Sequence, residues 1–285
     1  MKQIVSFVVI LIIIAVSFVL HGGRLGALIS VAEIAIIFGC AICGMIIASK
    51  TATLKLMLQQ VKISLSKSTY DRQYYQDLLS LMFELINVAK MQNLKALDAH
   101  VENPESSNIF AKYPAITRDE NTLKFIVDSF RQIISSKMSA HDVEAALEEE
   151  IEKLLEEYKK PSEKMHAMAE AMPGIGILAA VMGIILTMQY LDAEVSVIGQ
   201  SIAGALVGTF TGIFGCYCLF GPLSQAIQEV AEEQIAPLQC VRCIISAYCQ
   251  NLSPHMCVNA GRRQIELHHK PTFTELEQVI ASLRS

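Results

Sequence analysis

Pro173, Gly176, Ala180, Gly183 and Thr187 recur at alternating spacings of three and four, so on a helix they share one nearly bare face. Gly204, Gly208, Gly212 and Gly215 form a second stripe, with Ala205 and Thr209 alongside. Small-residue faces of this kind let another helix approach closely. The chemistry such faces could perform is ion passage, with the Thr209 hydroxyl and backbone carbonyls as oxygen ligands. What they lack is a group that titrates. Neither Gly174 to Leu191 nor Val195 to Phe220 contains an acid, a lysine, an arginine or a histidine, although proton relays through membranes are normally built on such groups. Plain helix packing accounts for one stripe; two adjacent stripes suggest half of an ion pathway, whose carboxylate must come from a partner helix.

The elements that position these faces are two membrane-spanning helices joined by a short turn holding Asp192 and Glu194, since each uncharged run can cross a bilayer core. Two further spans precede them, Ile4 to Leu20 and Val31 to Ala48, the latter apolar except for Glu33 near its beginning. A hydrophobic fraction of 52% and a mean hydropathy of +0.40 agree with a membrane protein. The first span has no convincing small-residue cleavage site, so it reads as a retained helix and not a signal peptide. Lys2, the run Lys50, Lys55, Lys62 and Lys67, and the group Lys159, Lys160 and Lys164 flank the spans on what is then the cytoplasmic side. The expected architecture is all-α: four transmembrane helices, both termini inside, a large cytoplasmic helical insertion between the second and third spans, and a cytoplasmic helical tail. The corresponding boundaries are 1–50, 51–171, 172–222 and 223–285.

Within the insertion, Leu78, Leu79, Met82, Phe83, Leu85 and Ile86 build one helical face, and Leu123, Ile126, Val127, Phe130 and Ile133 another. Thr117 with Glu120, Ser139 with Asp142, and Thr272 with Glu275 read as capping boxes. Asn103-Pro104 and Tyr113-Pro114 bracket a turn-rich break. The acidic helix from Glu144 to Lys160 should break or kink at Pro161, and Pro222 should end or bend the fourth span. Met165, Met168 and Met172 then continue one face into the third span.

Several classes are excluded. A net charge of -5 without a basic, aromatic-interleaved patch argues against nucleic-acid binding. The eight cysteines lie in spans or on the reducing side, and Cys240 with Cys243 has no second pair to complete a metal site. His21 and His166 read as structural or interfacial, and His268 and His269 as parts of a polar loop. No nucleophile elbow, phosphate-binding loop or zinc-hydrolase helix is present, so the chain is not expected to be an enzyme or to carry a cofactor.

The chain resembles the MotA-type subunit of the bacterial flagellar stator, within the wider group of MotA, TolQ and ExbB proton channels. The likeness runs almost end to end. It is carried by Met172-Pro173 to Met182-Gly183, Ala205 to Phe210 continuing to Gly221-Pro222, Glu102-Asn103-Pro104 with Ile109-Phe110 and Tyr113-Pro114, and Pro271-Thr272-Phe273 with Glu275 to Glu277.

The resemblance implies a bacterial inner-membrane protein whose ring, a pentamer by similarity, surrounds single-span MotB-type partners bearing an aspartate. Proton flow past that acid would drive the rotor. By similarity Pro173 and Pro222 carry conformational coupling, while Ala180 and Thr209 face the partner's acid. Ala180 stands where sodium-driven relatives typically have threonine, which points to protons. Gly176, Gly183, Gly204, Gly208 and Gly212 are expected to serve helix packing. Lys90, Asp98 and Glu150 match charges that meet a FliG-type rotor protein, with Lys90 and Asp98 keeping the sign but not the type of the family residues. The competing expectations are a TolQ- or ExbB-like transducer of the cell envelope and a passive membrane scaffold.

Overall fold

The computed structural model of the chain describes residues 2–135, 138–189 and 195–284. Among these residues every regular element is helical: α1 (Lys2–Leu20), α2 (Val31–Ile47), α3 (Thr51–Leu65), α4 (Arg72–Met91), α5 (Leu94–Glu102), α6 (Pro114–Thr117), α7 (Glu120–Ser135), α8 (Ala140–Met188), α9 (Val195–Phe214), a π-helical segment Gly215–Phe220, α10 (Gly221–Cys249), α11 (Pro254–Arg262) and α12 (Phe273–Arg284). The Asp192 and Glu194 turn lies outside the described residues. Two compact units result, one of residues 1–67 with 158–230 and one of residues 68–157 with 231–285.

The first unit holds four helices long and apolar enough to cross a membrane. No residue of α1 is buried, and its surface is a run of exposed valine, isoleucine and leucine. A helix apolar all round is stable only where lipid replaces water. Inside the unit, Ile37 and Ala41 of α2 and Met57 of α3 pack on Met165, Met168, Ala169 and Met172 of α8, with Cys216 and Ile227 completing the cluster. The predicted methionine face is therefore the buried one. Phe38 and Phe220 meet with ring centres 5.9 Å apart beside it.

Helix α8 runs unbroken through Pro161 and Pro173, contrary to the expected break. Around Pro161 the neighbouring carbonyls take side-chain donors: Gln60 Nε2 bonds the Tyr158 carbonyl at 3.0 Å, and Ser162 Oγ bonds that of Lys159 at 2.8 Å. The first of these contacts ties the turn around Pro161 to α3, and the second is a local bond within it. The fourth span likewise does not end at Pro222. Its chain widens one turn earlier into the π segment, where the Gly221 N–H reaches back five residues to the Cys216 carbonyl.

The second unit is built around α4, whose Tyr74, Leu78, Leu79, Met82, Phe83, Leu85 and Ile86 are all buried. Leu97 and Val101 of α5 and Phe125, Ile126 and Phe130 of α7 are buried with them. Each such side chain stabilises by roughly 1.5–3 kcal/mol on leaving water. Two of the three expected capping boxes are present, Ser139 with Asp142 and Thr272 with Glu275. The third is not: α7 is capped by Asp119, which accepts from the Thr122 N–H, while Thr117 Oγ1 turns back to the Pro114 carbonyl. Asp119 Oδ2 also accepts from the Tyr74 hydroxyl at 2.7 Å and from Thr122 Oγ1 at 2.8 Å, tying α4 to α7.

Candidate functional site

The small faces of α8 and α9 meet directly. A Cβ on Gly176 would lie 2.8 Å from the Gly208 carbonyl, and one on Gly212 would lie 2.6 Å from the Met172 carbonyl. Neither neighbour is a flexible side chain, so only glycine permits this backbone approach. Gly183 sits against Ala205, where an added Cβ would come within 3.1 Å of the alanine methyl. At Gly204, by contrast, an added Cβ would meet no described atom within 4 Å beyond its own helix. The packed face of α8 is Gly176, Ala179, Gly183 and Thr187, with Ala179 and Thr187 1% and 4% exposed. Ala180 is one position off this face and half-buried, as is Thr209 on α9. Thr187 satisfies its hydroxyl on the Gly183 carbonyl at 2.8 Å.

Residues 174–188 of α8 and 195–214 of α9, the small-faced parts of the two spans, supply no titratable group among the described residues, but α2 does. Glu33, expected only as a polar start to the second span, is 9% exposed and lies against Gly208: a Cβ there would be 2.9 Å from Glu33 Oε2. That oxygen has no hydrogen-bond partner among the described residues. The wall is thus not free of acids once its neighbouring helix is included. An acid inside an apolar run is a functional candidate in its own right, and that signal was available in the sequence.

At the other end of the stripe, Pro173 and Pro222 border one cavity of about 530 Å³, with His166, Glu170, Cys216 and Tyr217 also in its wall. His166 Nε2 stands 3.3 Å from Glu170 Oε1, and its Nδ1 stands 3.5 Å from Ser224 Oγ. The structure therefore brings together the two prolines expected to couple motion, and with them a histidine first read as structural.

The three charges matched to rotor contacts differ in their surroundings. Lys90 Nζ donates to Asn251 Oδ1 at 3.1 Å and to the Leu252 carbonyl at 2.6 Å, and lies 5.8 Å from the centre of the Tyr248 ring. It clamps the connection between α10 and α11. Asp98 is half-buried on α5, and Glu150 is exposed on α8. Other residues of the family-like motifs hold the second unit together: Glu102 pairs with Arg131 at 2.9 Å, and the Tyr113 hydroxyl donates to Glu84 at 2.7 Å. Burial, followed by the Glu84 carboxylate, pushes the Tyr113 hydroxyl upward in pKa, so it stays a donor. Among the described residues no group of three or more His, Cys, Asp or Glu is placed to hold a metal ion, and Cys240 is fully buried.

Residues 4–93 match the model described as motility protein A N-terminal, and residues 118–239 that of the MotA/TolQ/ExbB proton channel family. Chemotaxis protein LafT of Vibrio parahaemolyticus is 40% identical over 281 residues, covering 99% of each chain. Motility protein A of Salmonella typhimurium and that of Escherichia coli are each 32% identical over 285 residues, covering all of this chain and 97% of theirs. Among solved structures, the C. jejuni MotAB structure aligns with a TM-score of 0.74 over 93% of this chain and 96% of that one, at 20% identity. The flagellar MotAB stator complex from Bacillus subtilis aligns at 0.67 over 96% and 98%, also at 20% identity. At that identity the structural likeness bears on the fold.

Proposed function

Because the chain belongs to the motility protein A family, we propose that it is a flagellar stator subunit that forms a proton channel with an acid-bearing MotB-type partner and converts proton flow into torque. The observation that carries this reading is the full-length match to motility relatives, joined to a glycine-lined contact between α8 and α9. The match to the motility protein A amino-terminal model favours the stator over an envelope transducer of the TolQ or ExbB kind.

In this reading the chain crosses the inner membrane four times with both termini cytoplasmic, as its lysine flanks suggest, and five copies surround the partner's spans. Ala180 and Thr209, half-buried beside the packed face, turn toward the partner's aspartate. Glu33 is a second carboxylate close to the path. Each proton crossing releases about 2.3 kcal/mol per 100 mV of membrane potential. Neutralising the partner's acid lets the small faces slide past it, and Pro173 and Pro222 pass that movement to the rotor-facing domain. Asp98, Glu150 and Lys90 meet a charged face of a FliG-type rotor protein, Lys90 only after exchanging its contacts to Asn251 and Leu252.

Deletion of the gene tests the reading. Cells should keep their filaments, stop swimming, and recover rotation when the chain and its partner are resupplied. Unchanged motility with envelope defects would instead establish the transducer.

A further inference from the structure

We propose that His166 and Glu170 form a proton-release site at the cytoplasmic mouth of the ion path, a role that rests on the stator reading above. Pro173 is the last member of the small-residue stripe and also lines the cavity that holds this pair. From Gly174 to Gln189 helix α8 carries no ionisable side chain, so a proton moving along it toward this end meets Glu170 first and His166 one turn later. Both side chains are open to water, at 55% and 67% exposure, and can exchange protons with the surrounding solution.

The cavity itself suits water. Pro173 has no N–H, so the carbonyl of Ala169, four residues earlier and in the cavity wall, loses its helical donor. The Ser224 hydroxyl adds a further polar contact beside the imidazole. A polar, roomy site with several such groups holds ordered water.

Imidazole is the side chain that changes charge near neutral pH and carries two nitrogens, so it can take a proton on one and release one from the other. The proton leaving the partner's carboxyl reaches Nε2 through cavity water or the Glu170 carboxylate. The imidazolium, beside that carboxylate, then gives a proton to solvent water that reaches its exposed ring. One proton enters and one leaves, so the imidazole is neutral again, and exchange of the remaining N–H between its ring nitrogens restores the starting tautomer. This differs from a purely structural pair, which would hold α8 in place without exchanging protons.

The test uses the full chain with its partner in a motile strain lacking its own stator. Rotation is measured with small beads, where proton transfer limits speed, and with large beads, where torque does. Wild-type chain should restore both. His166→Gln should lower small-bead speed by about twofold or more while leaving large-bead torque and membrane content unchanged, and imidazole in the medium should recover the lost speed. Glu170→Gln should lower speed in the same direction, by a smaller factor. Small-bead speed at the wild-type value in His166→Gln, or a loss that imidazole leaves untouched, would overturn the release site while the stator reading stands. Failure of the wild-type chain to restore any rotation would overturn the stator reading and the release site with it.

Discussion

The contact of α8 with α9 in the membrane unit brings backbone to backbone, through Gly176, Gly208 and Gly212, whereas the contacts around α4 bring large side chains together, through Phe83, Phe125 and Phe130. The solvent explains the difference. In lipid, burying another leucine gains little, because the surroundings are already apolar, and stability comes from close approach and dispersion. In water, removing apolar area drives association at about 25 cal/mol per Å². Two kinds of residue are therefore irreplaceable in the two units, the smallest in one and the largest in the other.

That contrast can be broken or sharpened by substitution. The largest effect should come from Gly212→Leu, which places a side chain where the Met172 carbonyl stands; motility halos should vanish while immunoblots of the membrane fraction show normal insertion. Gly204→Ala is the matching control, since among the described residues nothing outside its own helix lies within 4 Å of the added methyl; lost motility there would place a partner helix on that side. Next, Phe130→Ala should destabilise the second unit by about 3–5 kcal/mol, read as lost hydrogen-exchange protection in α4 and α7 with the spans unaffected. Asp119→Ala removes the α7 cap and its bonds to Tyr74 and Thr122, at about 1–2 kcal/mol, and should loosen the same two helices less.

The smallest effect concerns pH. The Thr272 backbone N–H, then its hydroxyl, holds the Glu275 carboxyl below the ordinary carboxylate range. Its contribution to α12 is complete above the unfolded-state value and is lost as pH falls through the depressed folded one. Exchange protection of α12 should decline over that acid window, and Glu275→Gln should remove the dependence.

Much of this was legible in the chain. Periodicity alone placed Met165, Met168 and Met172 on one face, which the structure buries, and hydroxyl-to-acid spacing found the caps at Ser139 and Thr272, because both signals are local. The misreadings arose where distant residues intervened. Pro161 leaves α8 continuous, and the turn there is tied to α3 by Gln60, about a hundred positions away, which donates to the carbonyl of Tyr158. Thr117 lost the cap to Asp119, whose carboxylate also serves Tyr74 on another helix. Glu33 looked like a polar edge because depth depends on which neighbour covers it, and Gly208 covers it through the lack of a side chain. The Ala179 and Ala180 exchange is a one-residue rotation of the stripe, finer than spacing resolves.

The Cys216 to Gly221 hydrogen bond fits one residue more than an α-helix would use in the same turn. The wide turn absorbs that residue locally, so the helix continues at nearly the same azimuth while the contact rows of α9 and α10 fall one residue out of phase along the sequence. Excising a single residue from Gly215–Phe220 would restore ordinary winding and leave Ile227 and Val230 facing inward as they do now, whereas the same excision just after Pro222, within α10, would turn everything beyond it by about 100°. A one-residue deletion in the π segment should therefore be less damaging than one in the regular helix that follows it.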